Sequence, residues 1–229
     1  MCGRMTNAAT NEEIATQLEV DEVDGDANKR NASYNVAPTQ PIIAIDEKED
    51  SRRLTLMRWG LIPSWSKDAK AASKMINARA EGVFERPAYR SAFAKRRCLI
   101  PVDGFYEWER LTGSKKKQPW RFVRKDGQLL VFAGIWETWK NPDDPDGTPV
   151  ITCSIVTTEA NPDMPIHNRM PRILEADEWT QWLGADKDSA MTMLHPPEAG
   201  ILSSVPVSDR VNSVANNDPG LIEPQHTDR

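Results

Sequence analysis

The chain is short of the features that mark several large protein classes. Three cysteines in 229 residues, Cys2, Cys98 and Cys153, are too few and too widely spaced for a disulfide framework or for CxxC metal ligands. A reduced intracellular protein, cytoplasmic or nucleoid-associated if bacterial, with no metal and no cofactor is the expectation. No apolar run approaches the roughly 18–20 residues that cross a bilayer, so no membrane partner is expected. The N-terminus turns polar and acidic by Glu12, which does not fit a signal peptide. No Gly/Ser-rich or repetitive linker divides the chain, so residues 1–229 read as one domain with 225–229 as a flexible tail. Histidine is scarce too, at three residues, and Tyr and Phe are few, at three and five. Tryptophan is abundant by comparison, with eight residues, most of which suit core or half-buried packing.

Charge is present but unevenly spread. Residues 52–125 carry 19 Lys+Arg against 6 Asp+Glu, a net of +13, while the rest of the chain carries 10 against 28, a net of −18. The overall −5 therefore does not exclude a polyanion, because local field decides phosphate binding. A basic face on an acidic body is the expectation, and solvated loops at 95–97 and 115–117 are the alternative reading of those runs.

Hydrophobic patterning gives the fold class. Thr10 or Asn11 can cap a short helix reaching Leu18, with Glu12 and Glu13 in its first turn. Residues 42–45, 54–59, 98–102, 105–109, 120–124, 129–136, 150–157 and 203–207 read as strands joined by Gly, Pro or Asp turns. Residues 69–75 and 88–95 have helical composition, and Trp179, Trp182 and Leu183 suit one face of a helix. Residues 21–30 read as a polar loop, and from Asn212 onward the chain is largely polar. Strands dominate without regular βαβ alternation. The expectation is an α+β fold with a curved, mainly antiparallel, barrel-like sheet and peripheral helices.

Several polar residues stand in strings where they need a reason. Cys2 follows Met1, and a residue this small at position 2 normally permits removal of the initiator. The new terminus would carry a thiol and a free amine on adjacent carbons. Such a pair can condense with an aldehyde to a thiazolidine, or attack an amide as an N-terminal nucleophile. An inert residue at a frayed end is the plain alternative. In Ile76-Asn77-Ala78-Arg79, Asn77 and Arg79 share one face of an extended backbone and suit a sugar or phosphate. In Phe105-Tyr106-Glu107-Trp108, aromatic neighbours favour the neutral form of a carboxyl, which fits Glu107 for proton transfer, unless it faces solvent. Three prolines surround His167 within residues 161–171, a rigid setting for an acid/base group. Trp65, on a Gly/Pro-marked loop of the basic segment, could stack on unpaired bases. Cys98 and Cys153 fall in strands and read as inert buried thiols.

Six strings in order, from Met1-Cys2-Gly3-Arg4 through Tyr34-Asn35-Val36-Ala37-Pro38, Arg58-Trp59-Gly60-Leu61-Ile62-Pro63, Ile76-Asn77-Ala78-Arg79-Ala80-Glu81 and Asp103-Gly104-Phe105-Tyr106-Glu107-Trp108 to Pro165-Ile166-His167-Asn168-Arg169-Met170-Pro171, cover nearly the whole chain. In them the chain resembles the SRAP family, "SOS response-associated peptidase", whose members protect abasic sites in single-stranded DNA. The resemblance implies the SRAP fold, with Cys2 as crosslinking nucleophile and Asn77, Glu107 and His167 completing the catalytic site. It implies Arg4, Asn35 and Arg79 on the flanking phosphates and sugar, and Trp65 beside the exposed bases. Some relatives have a second aromatic directly after the residue matching Trp65, where this chain has Ser66. The implied activity is a thiazolidine crosslink to abasic DNA with slow reversal. The implied partner is single-stranded DNA bound by a monomer, with replication-fork proteins as candidate partners. The rival is a thiol peptidase or amidase, autoproteolysis included, using Cys2 with His167 as base. It needs an oxyanion hole that the sequence does not specify.

Overall fold

The computed structural model describes residues 2–225. In chain order the strands are β1 (Met5–Asn7), β2 (Glu22–Val23), β3 (Ser33–Val36), β4 (Pro41–Lys48), β5 (Ser51–Trp59), β6 (Asn77–Arg79), β7 (Arg97–Val102), β8 (Gly104–Arg110), β9 (Lys117–Arg124), β10 (Leu130–Trp139), β11 (Val150–Glu159), β12 (Arg169–Pro171) and β13 (Leu202–Pro206). The α-helices are α1 (Asn11–Leu18), α2 (Arg90–Lys95), α3 (Trp179–Gly184) and α4 (Lys187–Thr192).

Antiparallel pairing runs β11–β10–β7–β4–β5, and a parallel contact of Thr152 and Cys153 with Arg58 and Trp59 returns β5 to β11. Those five strands form a closed barrel. A second sheet, ordered β13-β9-β8-β1-β3, packs against it. The expected α+β class with a curved, mainly antiparallel barrel-like core is what the chain adopts.

Alternation along the strands sends side chains to two clusters. On β4, Ile43 and Ile45 join residues of all four helices, whereas Ile42 and Ala44 join Cys98, Phe132, Cys153 and the second sheet. Phe105 of β8 stacks on Phe122 at 5.2 Å and meets Phe132 of β10 edge-on at 5.6 Å, tying the two sheets together. Gly134 on β10 is required by close packing, since a Cβ there would lie 2.6 Å from the Cys98 sulfur. Gly60 ends β5 at φ +124°, with the Ala72 carbonyl oxygen 2.5 Å from any Cβ, so the chain can turn there only without a side chain.

Helix α1 starts as its sequence predicts. Thr10 accepts from the Glu13 amide and Glu13 reaches back to the Thr10 amide, a capping box of about 1 kcal/mol. Other expectations need correction. Residues 69–75 hold only a 3₁₀ stretch, Lys70–Lys74. The loop at 21–30 contains β2 and a 3₁₀ turn, and the polar stretch after Asn212 is folded against β3 and β8. Gln225 still donates its amide to Pro206, while residues 226–229 of the expected tail lie outside the described residues. Among the described residues, no helix is long and apolar enough to cross a membrane.

The basic segment also changes meaning in three dimensions. Arg52 and Arg97 are buried, the first donating to the Leu18 carbonyl and Thr180, the second to carbonyls at Phe93 and Trp182 that end helices. Arg53, Arg96 and Arg124 pair with Asp46, Glu137 and Glu175. Part of the +13 is therefore taken up by carboxylates and carbonyls of the protein itself, while most of the Lys and Arg side chains of the segment stay exposed. The exposed basic face is smaller than the count of residues suggests.

Candidate functional site

Four separate stretches of chain deliver the site. Cys2 precedes β1, which is held between β3 and β8 by the Met5↔Val36 and Met5↔Phe105 pairings. Glu107 lies on β8, opposite Trp120. Asn77 opens β6, which adds in parallel to β11 through Ile155↔Asn77 and Thr157↔Arg79. His167 sits in the loop between β11 and β12. None of these stretches is next to another in sequence.

Cys2 is fully buried among Met5, Trp59, Phe105, Ile155, Met164 and Met170. Its thiol faces the Arg4 carbonyl at 4.0 Å, and its own carbonyl accepts from Asn77 Nδ2 at 2.8 Å. Burial pushes the thiol pKa up, and the nearby Glu107 carboxylate adds to the shift. Glu107 is 6 % exposed and lines a cleft, so it is buried at the cleft wall and not on the open surface. The Asn77 Oδ1 is buried with no hydrogen-bond partner among the described residues. A buried acceptor of this kind costs about 1–3 kcal/mol when its hydrogen bond is not made.

His167 is half-buried, and its Nδ1 accepts from the Arg169 amide at 3.0 Å. In the neutral ring the proton is then on Nε2. Burial lowers the pKa of His167, with the Glu107 carboxylate opposing the shift. The imidazole stands between two clefts. One, of about 590 Å³, is lined by Glu107, Trp108, Glu109, Arg110, Lys117 and His167. The other, of about 580 Å³, is lined by Arg79, Asn161, Met164, His167, Asn168 and Arg169. A larger hollow of about 940 Å³, around α1, Asp103 and Arg121, contains none of the four site residues.

Of the residues expected to bind DNA, Arg79 is exposed and lines the second cleft. Trp65 is 69 % exposed on the loop after β5 and lines neither cleft. That loop is braced where Trp139 Nε1 donates to the Ser66 carbonyl at 2.8 Å, so Ser66 forms part of a turn. Arg4 and Asn35 face inward. Asn35 is 2 % exposed, accepts from Arg4 Nη1 at 2.7 Å and donates to three carbonyls. Sequence reasoning did not single out Arg169, Arg110 or Lys117. Arg169 is buried against Thr157 and paired with Glu81, and that pairing lowers the Glu81 pKa. Its place in the His167-Asn168-Arg169 string was the available signal. For Arg110 and Lys117 the basic runs were the only one.

A buried thiol near a carboxylate, beside an amide and an imidazole at a junction of two clefts, makes this corner of the molecule the candidate site. Residues 1–214 match the SOS response associated peptidase (SRAP) family, and the chain belongs to it. It is similar to the abasic site processing protein YoqW of Bacillus subtilis, 43% identical over 227 residues that span 97% of this chain and 99% of that relative. It is also similar to the abasic site processing protein HMCES of Gallus gallus, 34% identical over 84% of this chain and 66% of the relative. A crystal structure of a Bacteroides thetaiotaomicron protein shares the fold at TM-score 0.85 and 24% identity, covering 98% of this chain and 100% of that one. A Bordetella bronchiseptica protein does so at TM-score 0.75 and 26% identity, over 90% of this chain and 100% of its own.

Proposed function

We propose that this protein captures abasic sites in single-stranded DNA by closing a thiazolidine on Cys2 once Met1 has been removed. The observation that carries the reading is the convergence on Cys2 of the Glu107 carboxylate and the Asn77 amide, with His167 at the junction of two clefts. The relatives' shared description as abasic site processing proteins supplies the substrate class.

The chemistry follows from the groups. An abasic deoxyribose exposes a small fraction of open aldehyde. The Cys2 amine adds to that carbon, the carbinolamine loses water to give an iminium ion, and the thiol sulfur adds to its carbon as the thiol proton leaves. One water leaves, and nothing is oxidised or reduced. Glu107 donates the proton that lets hydroxide depart as water, and the resulting carboxylate accepts the proton that the thiol gives up. The raised thiol pKa suits this order, because a protonated thiol leaves the first attack to the amine. Asn77 Oδ1 accepts from a sugar hydroxyl. His167 donates Nε2–H to the 3′ phosphate, and Arg79 supplies charge to the backbone in the second cleft. Trp65 stacks on bases beyond the clefts. Run backwards, the same groups release the protein slowly. Within this reading one domain acts as a monomer inside the cell, where replication-fork proteins would meet it.

The peptidase reading is less well supported. A Cys–His nucleophile needs an acidified thiol and a basic imidazole. Here burial moves Cys2 up and His167 down. The deciding experiment mixes the full-length protein with an abasic oligonucleotide and runs a denaturing gel, with intact mass in parallel. A shifted band, missing Met1 and a mass short of the sum by one water are expected. Active protein that retains Met1 would remove the mechanism, since an acylated amine forms no imine. Absence of a band together with Cys2-dependent peptide hydrolysis would favour the rival.

A further inference from the structure

The feature that the site leaves unexplained is the segment after β13. Residues 208–222 run across β3 and β8 and include two 3₁₀ turns, Asp209–Asn212 and Pro219–Ile222. Three of the segment's carbonyls, at Val211, Ser213 and Asn216, accept from Asn35 Nδ2 at 3.3, 2.9 and 2.8 Å. Arg4 Nη1 bridges the Asn35 Oδ1 at 2.7 Å and the Val211 carbonyl at 2.6 Å. The Arg4 guanidinium lies 5.8 Å from the Trp108 ring, and Trp108 Nε1 donates to Asn212 Oδ1 at 2.7 Å. Asn217 Oδ1 anchors the far end by accepting from the Tyr34 amide at 2.7 Å. A strap thus closes on Arg4.

Arg4 is where Cys2 takes its position. Its carbonyl accepts the Tyr106 amide at 2.9 Å and faces the Cys2 thiol at 4.0 Å. A chain end has no upstream residues to order it and frays unless tied down. The strap holds the Arg4 guanidinium, and the carbonyl of that same residue holds the Tyr106 amide and faces the Cys2 thiol, so strap and nucleophile meet at one residue. Asn35 is chemically suited to hold it, since one end of its amide donates to carbonyls while the other accepts from a guanidinium.

We propose that the strap, acting through Asn35 and Arg4, is the device that holds the N-terminal nucleophile in register, and that Asn35 is a positioning residue and not a DNA contact. The consequence for crosslinking rests on the function proposed above, but the consequence for the thiol does not. A strap formed by the end of the chain would then complete the site at its beginning.

The test uses full-length Asn35→Ala and Asn217→Ala, the second being an exposed strap residue whose loss spares the core. Alkylation of each cysteine by iodoacetamide is followed by peptide mass mapping. Freed from its lodging, Cys2 should react about 10-fold faster in Asn35→Ala and about 3-fold faster in Asn217→Ala, while Cys98 and Cys153 keep wild-type rates. Single-turnover crosslinking at saturating abasic oligonucleotide should fall about 10-fold in Asn35→Ala through misplacement of the reacting atoms. Affinity for an undamaged single strand should stay within about 2-fold, because no phosphate contact is lost. Weakened DNA affinity with unchanged Cys2 alkylation would make Asn35 a DNA contact and overturn the proposal. Equal acceleration at all three cysteines would mean that Asn35→Ala loosens the whole fold, and Asn217→Ala then decides. Unchanged Cys2 alkylation in that variant overturns the strap. If wild-type protein forms no adduct at all, the proposed function fails while the alkylation rates still judge the positioning.

Discussion

Cys2 and the pair Cys98 and Cys153 are three thiols in one apolar cluster, all fully buried, all unpaired and all pushed to high pKa by burial. A carboxylate acts on Cys98 as well, but that one, Asp46, is buried and paired with Arg53, so what separates the thiols is polar company that is still available. Around Cys2 stand the Glu107 carboxylate and the Asn77 amide, and Glu107 and His167 line a cleft that Cys2 itself does not line. Cys98 and Cys153 are on β7 and β11, the two strands that flank β10, where Gly134 packs against the Cys98 sulfur. Burial alone therefore says little about which thiol reacts. The groups able to move a proton beside it, and the route by which a substrate arrives, make the distinction.

The largest expected effect breaks the comparison outright. Cys2→Ala should abolish the gel-stable adduct and leave non-covalent binding of single-stranded DNA nearly intact, whereas Cys98→Ala and Cys153→Ala should crosslink at wild-type rates. An adduct surviving in Cys2→Ala would move the nucleophile elsewhere.

Next is the carboxylate. Glu107→Gln keeps the shape of a buried side chain and removes its proton, so single-turnover crosslinking should slow roughly 10²-fold. Wild-type rates across the pH range would leave Glu107 a strand residue with no part in the chemistry. Arg79→Ala should weaken binding of undamaged single strands by about 10-fold and flatten the log–log salt slope by about 1, because one phosphate contact is lost. Fluorescence anisotropy at several salt concentrations reads both quantities, and an unchanged slope would take Arg79 off the backbone.

Smaller effects sharpen the comparison from the barrel side. Cys153→Ala should cost about 1 kcal/mol in urea denaturation, the loss of a small buried group. Cys153→Ser should cost about 1–3 kcal/mol, because a hydroxyl would be left without a partner. Equal stability of the two variants would argue for a polar neighbour there. The smallest effect concerns His167, whose pKa burial holds below the ordinary 6.5. An unfolded chain takes up this proton near 6.5 while the folded chain does not. Stability therefore falls as pH drops through 6.5 and the loss levels off below the folded value. His167→Gln should show a shallower decline between neutral and mildly acidic pH, and an equally steep decline would assign the dependence to other groups.

The site was legible in the sequence to the extent that its residues stood out locally. A Glu between aromatics, a His among prolines and a Cys at position 2 are each anomalies of their own string. The barrel's long strands were legible because β4, β10 and β11 carry near-continuous runs of apolar and β-branched residues, bounded by turn residues, that are buried on both faces. The three-residue strands β1, β6 and β12 were not, because each is too short to show a period and exists by pairing with β8 or β11. These are the elements that carry or flank Cys2, Asn77 and His167. The contacts of Asn35 were hidden for a related reason, since its string carries no mark of the carbonyls more than 170 residues away to which its amide donates.

The sequence by itself determined which residues are available for chemistry and which stretches read as strands, because side-chain type and apolar runs are local properties. It also determined the α1 capping box, whose partners lie three residues apart. Tertiary structure alone decided that Arg52 and Arg97 of the basic segment face inward, that the polar stretch after Asn212 folds back on β3 and β8, and that the carboxylate near Cys2 lines a cleft whereas the one near Cys98, Asp46, is paired with Arg53. Each of those depends on what closure of the barrel brings into contact, and contact across long loops has no signature in the residues that make it.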